Sequence, residues 1–282
     1  MTDPDPADVP IRHAATVMLV DDRPDLKVFM MERNANTVFA GGMWVFPGGS
    51  VDDADDPGAF EHMSVHRSDE EASRLLGIPS GGLRYYIAAI REAFEEAGVL
   101  LALPRQGDDI VDLQDPETAR RFEVHRRAVN DSSRSFIDIA DEEDLVLDAG
   151  SMHYVARWIT PEGPPRRFDA RFFVSRMPAR QVPVHDDSEL VHSRWISPQD
   201  ILDAVAREEM VLMSPTLRMV RCLARFSSAD EVIEAAASNQ PDERARVNAA
   251  REIVLPGDPD YDTADETIEN GWVRLRPLER KT

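Results

Sequence analysis

Cysteine occurs once in these 282 residues, at Cys222, which excludes an internal disulfide framework and the cysteine clusters of structural zinc sites. Lysine is almost missing: Lys27 and Lys281 stand alone, so arginine carries nearly all the positive charge. That bias suits bidentate phosphate contacts, although GC-rich coding would produce it too. Base is scarce overall, with 32 Lys and Arg against 53 Asp and Glu and a net charge of −21. Such a chain is repelled by phosphate backbones and anionic bilayers, so non-specific nucleic-acid and membrane-surface binding are excluded as expectations. No run of 18 apolar residues marks a membrane span. The acidic, proline-rich start MTDPDPADVP has neither the basic and apolar regions of a signal peptide nor the pattern of a transit peptide, and Arg280-Lys281-Thr282 matches no peroxisomal address. The expected location is cytoplasmic.

What is present is a core-forming chain, 42% hydrophobic. Residues 1–11 read as a flexible lead. Residues 13–20 and 26–32 read as strands joined by the turn Asp21-Asp22-Arg23-Pro24. Residues 43–46 read as a strand that runs into Pro47-Gly48-Gly49. Residues 57–83 look like an insert with one short helix near 68–76. The periodicity predicts a helix over 84–97, stopped by Gly98 in the left-handed conformation. Residues 104–150 are polar and carry no clear period, and the acidic run at 141–144 reads as a solvated edge. Strands are expected at 152–160, 168–176 and 191–196. Helices follow at 215–226, at 229–237, and from the cap Ser197 with Pro198 at the first position. A tail begins at Pro241, with an edge strand over 272–275.

The helix at 84–97 holds the chemistry. With Glu92 at zero, Glu95 falls at about −60° and Glu96 at about +40° around the axis, while Ile87, Ile90, Phe94 and Ala97 fall between roughly 140° and 220°. One face is core, and the other bears three carboxylates within one turn. Such a trio repels itself, Arg91 offsets part of this from i−4 of Glu95, and a hard divalent cation would offset the rest. In a chain this acidic a merely solvated face is the competing reading.

The phrase Arg91-Glu92-Ala93-Phe94-Glu95-Glu96-Ala97-Gly98-Val99, preceded by Phe46-Pro47-Gly48-Gly49, resembles the signature of the Nudix hydrolase family. The resemblance implies an α/β fold, an α/β/α sandwich around a mixed β-sheet, over about 12–225, with a helical insert near 57–83 and a C-terminal extension over 226–282. It implies that Mg2+ or Mn2+ is held by the Gly48 carbonyl, Glu95, Glu96 and Glu92. Glu92 is at the position that binds a second metal or takes the proton from water. Arg91 is at the position that orients the carboxylates; Arg91, Glu92 and Glu96 are the expected catalytic residues. The chain departs from the signature where Asp55 stands in place of a glutamate and the insert splits the motif. Asp52 and Asp55 read either as supports of the metal site or as turn acids.

A split motif of the form VFPGG, insert, AIREAFEEAGVLL resembles the coenzyme A diphosphatase branch of that family. It implies cleavage of the pyrophosphate bond of coenzyme A or its thioesters into phosphopantetheine and adenosine 3′,5′-bisphosphate. Arg33 and Arg171 are candidate substrate contacts, although taken singly each reads first as a surface salt bridge. Glu189 is an expected distal carboxylate for a metal or for base catalysis. Phe172 and Phe173 either flank an adenine or split between the two faces of a strand. The histidines show no metal spacing, and Cys222 and the methionines read as core. Dimers are common in the family, so a homodimer is open. The alternatives are hydrolysis of ADP-ribose, NADH or dinucleoside polyphosphates, and a non-catalytic metabolite sensor; the three retained glutamates and the lack of a basic recognition helix weigh against the sensor.

Overall fold

Strand β1 (Ile11–Asp22) is apolar on both sides, and its side chains divide by parity. Ala15, Val17 and Leu19 enter one core, while Met18 and Val20 enter a second on the opposite face. β2 (Leu26–Arg33) does the same, with Phe29 and Met31 against Val28 and Met30. Strands buried on both faces need a layer on each, which dictates a three-layer sandwich. The computed structural model, which describes residues 9–35, 37, 40–184, 190–265 and 270–279, has that architecture.

The main sheet is mixed. Its order is β10 (Glu243–Arg244), β13 (Gly271–Val273), β7 (His153–Ile159), β8 (Arg167–Arg176), β1, β2, β3 (Trp44–Val45), with β4 (Gly48–Ser50) on β1 and β9 (Leu190–Ile196) on β2. β1 and β8 run parallel from Ile11↔Arg167 to Val20↔Arg176; the other pairs are antiparallel. Two small ribbons lie outside it, β5 (Ala102–Pro104) with β6 (Leu145–Leu147), and β11 (Arg246–Val247) with β12 (Ile253–Val254).

One face carries α1 (Pro57–Phe60), α2 (Asp69–Leu76), α3 (Leu83–Ala97), α4 (Pro116–Asn130) and α5 (Phe136–Glu142), packed through Phe60, Leu76, Ile87, Phe94, Phe122 and Phe136. The other carries α6 (Pro198–Ala206), α7 (Ser214–Leu223) and α8 (Ala229–Ala237), packed through Ile201, Val220, Cys222 and Val232. Cys222 is fully buried, as expected of a core thiol, and burial pushes it up to about 11.

Two connections position the site. The insert is a folded excursion: Ser68 and Glu71 form a capping box on α2, and Asp69 accepts from the backbone N–H of Gly81 and Leu83 at 2.9 Å each. A carboxylate is thereby planted at the start of α3, where the helix dipole favours it. At the far end Gly98, at φ 63°, turns the chain out of α3. The tail is woven into the sheet rather than appended: β13 pairs with β7, β10 covers β13, and Arg274 clamps Asp242 while donating to the Leu75 carbonyl. The edge strand expected near 272 is therefore an inner one. Among the described residues no helix is long and apolar enough to cross a membrane.

Candidate active site

α3 is buried nearly all round, its polar end included. Arg91 is 8% exposed and Glu92 9% exposed, because α3 packs on β1 and β4. A guanidinium taken out of water must find acceptors. Arg91 finds them on three elements: Nε and Nη2 donate to the two carboxylate oxygens of Asp55 at 2.9 and 3.0 Å, Nη1 donates to Glu92 at 2.9 Å and Glu95 at 3.1 Å, and Nη2 also donates to the Ser50 carbonyl at 2.9 Å. Asp52 lies 3.5 Å away. Asp55, 1% exposed, also accepts from the Asp52 N–H. Although the insert separates Asp55 from Arg91 in sequence, the fold returns it to the arginine, and the split motif closes in space.

β4 supplies the opposite wall. The Gly48 N–H donates to Glu96 Oε2 at 2.9 Å. A side chain at Gly49 would collide with the Glu92 carboxylate, so only glycine leaves room for this approach. Arg33, at the end of β2, lies 3.8 Å from Glu96. The structure thus brings together Gly48, Arg91, Glu92, Glu95, Glu96 and Arg33.

Five carboxylates here meet two guanidiniums, a surplus of three negative charges. Burial, and then the charges of Glu96 and Glu95, push Glu92 up to about 8 against the pull of Arg91. Burial likewise raises Glu95. A site that resists ionisation in this way is short of positive charge, and the oxygen donors present fit a hard divalent cation. Among the described residues no three acidic, histidine or cysteine side chains close a metal shell by themselves. Mg2+ does not require one, since it commonly keeps water and substrate phosphates beside one or two carboxylates.

Two expected residues are not part of this cluster. Arg171 is 1% exposed on the α3 side of β8, ion-paired with Asp169 and lying over Tyr85 at 5.1 Å. Its position on the strand turns it into the core, away from the glutamates, where it makes the salt bridge that is the other reading of this residue. Glu189 lies outside the described residues. Phe172 and Phe173 split as parity requires: Phe173 packs on Tyr86 with centroids 4.5 Å apart, and Phe172 faces the other side.

On that other side a cavity of about 570 Å³ opens beside Gly48 and Gly49. Its walls include Phe168, Phe172, Trp158, Met213, Pro215 and three arginines. A wider depression of about 700 Å³ over α2 touches none of the motif residues.

Composition and spacing missed Arg126. It is 5% exposed on α4 and donates to the Glu95 and Glu96 carbonyls at 2.8 and 2.9 Å, with Asn130 adding a third bond at 3.3 Å. The C-terminal carbonyls of α3, unmet within the helix, are thereby satisfied by a cation.

This sandwich, with a glutamate-bearing helix set against a glycine turn, is a Nudix fold. A crystal structure of a Nudix hydrolase from Alicyclobacillus acidocaldarius superposes with a TM-score of 0.62 at 23% identity, covering 80% of this chain and 97% of that one. The family model for the NUDT19 Nudix domain matches residues 63–223, more than half the chain, and the chain belongs to that family. Similar relatives are the Homo sapiens protein named acyl-coenzyme A diphosphatase NUDT19, 28% identical over 239 residues, 73% of this chain and 62% of that protein, and the Gallus gallus protein of the same name, 26% identical over 266 residues, 78% of this chain and 70% of that protein. The chain thus spans about three fifths of the length of the human relative.

Proposed function

We propose that this chain is a Nudix pyrophosphohydrolase that cuts the diphosphate of coenzyme A or an acyl-coenzyme A, using Mg2+ or Mn2+. The observation that carries the reading is the meeting of Glu96 with Gly48 and of Glu92 with Gly49, Glu95 being tied to them through Arg91, where the same two glycines line a cavity sized for a nucleotide derivative. The family and the names of the relatives support the substrate class.

Glu95, Glu96, Glu92 and the Gly48 carbonyl would hold the cation. When bound, such a cation neutralises phosphate oxygens and acidifies water. The chain's own residues do the rest. Arg91 holds Glu92 and Glu95 by one guanidinium nitrogen, fixing their spacing. Asp55 holds Arg91 in turn. Glu92, fixed by Arg91 and set against Gly49, stands where it would either ligate the cation or take the proton of the attacking water. Arg33, beside Glu96, neutralises a non-bridging oxygen. The net charge of −21 favours a small molecule over nucleic acid or membrane as partner, and the reading places the activity in the cytoplasm.

The test is a panel of coenzyme A, acyl-coenzyme A, ADP-ribose, NADH and diadenosine polyphosphates with Mg2+ and with Mn2+. The highest kcat/KM is expected for a coenzyme A species, with phosphopantetheine or its acyl form as product. A higher value for ADP-ribose or NADH would refute the substrate class, and no turnover of any member would refute the enzyme.

A further inference from the structure

Acid is scarce at one place on this acidic chain. The protein has 53 Asp and Glu, yet no described one lines the cavity beside Gly48 and Gly49, while Arg33, Arg166 and Arg218 do. Arg33 belongs to the glutamate end, 3.8 Å from Glu96. The other two come from the far wall. Arg166 lies on the connection from β7 to β8, and Arg218 on α7 lies 4.7 Å from the ring centre of Trp158.

The register measures the gap between the ends. Gly48 and Gly49 pair with β1, β1 pairs with β8, and Ala170 of β8 pairs with Trp158 of β7. Three strand steps amount to about 14 Å across the sheet. The floor between is Phe172 and Ala170, which suits a base or sugar and offers a phosphate nothing. The far end is also rich in donors. The first turn of α7 opens on the cavity through Ser214 and Thr216 with no side chain capping it. The Trp158 indole N–H is buried without an acceptor. The exposed Arg166, the uncapped first turn of α7 and the unmet Trp158 N–H, beside Arg218, select an anion one nucleoside removed from the diphosphate.

We propose that Arg166 and Arg218 bind a second phosphate of the substrate, a monoester on the ribose, distinct from the diphosphate that is cut. The inference rests on the diphosphatase reading and deepens it. A ribose phosphomonoester is present at the 3′ position in coenzyme A and at the 2′ position in phosphorylated nicotinamide dinucleotides, and it is missing from dephospho-coenzyme A, NADH and ADP-ribose. Arg166 is the principal reader, since it is exposed and forms no ion pair among the described residues. Its replacement therefore leaves the core untouched.

The test has two arms, run on the full chain and on Arg166→Ala, Arg166→Lys and Arg218→Ala. Calorimetry without metal compares adenosine 3′,5′-bisphosphate, adenosine 2′,5′-bisphosphate and AMP. Steady-state kinetics compares kcat/KM for coenzyme A against dephospho-coenzyme A, and for NADPH against NADH. One bisphosphate isomer is expected to bind roughly tenfold or more tighter than AMP, and the matching substrate pair to show the same ratio. Arg166→Ala should bring both ratios close to one, with Arg166→Lys intermediate. A ratio near one in the unmodified chain, or a ratio left intact by both alanine variants, overturns the proposal. Tight bisphosphate binding without turnover of any coenzyme A species supports the phosphate site and sinks the diphosphatase reading. Equal turnover of coenzyme A and dephospho-coenzyme A does the opposite.

Discussion

Asp55 is the residue on which the split motif depends, and Asp55→Asn tests that dependence. The carboxylate is 1% exposed and takes two hydrogen bonds from Arg91 at 2.9 and 3.0 Å. Removing one partner of a buried pair costs about 3–5 kcal/mol when the other is stranded. Arg91 is not stranded, because Glu92 and Glu95 stay within 2.9 and 3.1 Å. The loss should therefore fall at about 2–3 kcal/mol. At about 2–4 °C per kcal/mol for a chain of this size, Tm drops by roughly 5–10 °C. Activity should fall further than stability does. An Arg91 released from Asp55 is drawn toward the glutamates and shifts their carboxylates, and misplacement by an ångström costs on the order of 100-fold in kcat. Asp55→Glu keeps the charge and should recover most of both quantities. Calorimetric melts and kcat measured at 25 °C decide the matter. If Asp55→Asn melts within 1 °C of the unmodified chain and keeps its kcat, Asp55 is only the turn acid that caps Asp52, and the closure of the motif carries no function.

Three further outcomes are expected. Glu92 holds its proton to about pH 8 in the folded chain against 4.5 when unfolded. The folded state then binds more protons between those values, so without divalent cations stability falls as pH rises from about 4.5 to 8, by a few kcal/mol at most; Glu92→Gln should flatten the curve of Tm against pH, and an unchanged slope would contradict this. Arg126→Ala leaves the Glu96 carbonyl unmet and the Glu95 carbonyl with only the 3.3 Å bond from Asn130, and should cost about 1–3 kcal/mol in a denaturant melt. Its kcat should drop with KM nearly unchanged, and Arg126→Lys should restore part of it. Gly49→Ala forces the Glu92 carboxylate aside, so kcat should fall at least tenfold while the far-ultraviolet circular dichroism spectrum stays the same.

Much of the fold could be read from residue order, for reasons visible in particular elements. Strands β1, β2, β7 and β8 carry runs of buried residues, while β9, exposed at its polar positions, is marked by the helix cap Ser197 that follows it. α6 begins after the expected cap Ser197, and α8 spans the expected residues 229–237. α3 was legible twice over, from its apolar face and from Gly98. Residues 104–150 were not legible, and the structure shows why. α4 turns His125 and Arg126 inward, since the surface it covers is the polar end of α3, so its buried face looks like a solvated one in sequence. The tail was misjudged because β10 and β13 are too short, at two and three residues, to show a period.

The site divides along the same line. Local spacing exposed Arg91, Glu92, Glu95 and Glu96, which sit on a single helix. It left Arg171 open between a substrate contact and a salt bridge, because strand parity assigns a face but not whether that face meets solvent; here the arginine is sealed against Asp169 and Tyr85. It left Asp55 undecided, because the contact with Arg91 spans 36 residues. Arg166, Arg218 and Trp158 converge from three elements, and no short stretch of sequence contains them.

The most direct measurement on the central claim is Mn2+ binding followed by electron paramagnetic resonance on the unmodified chain, on Glu95→Gln and on Glu96→Gln. A bound signal is expected in the unmodified chain, weakened at least tenfold in either variant, with helix content preserved in both. Equal Mn2+ binding in all three proteins would contradict the account, because the glutamate face of α3 would then not be what holds the cation.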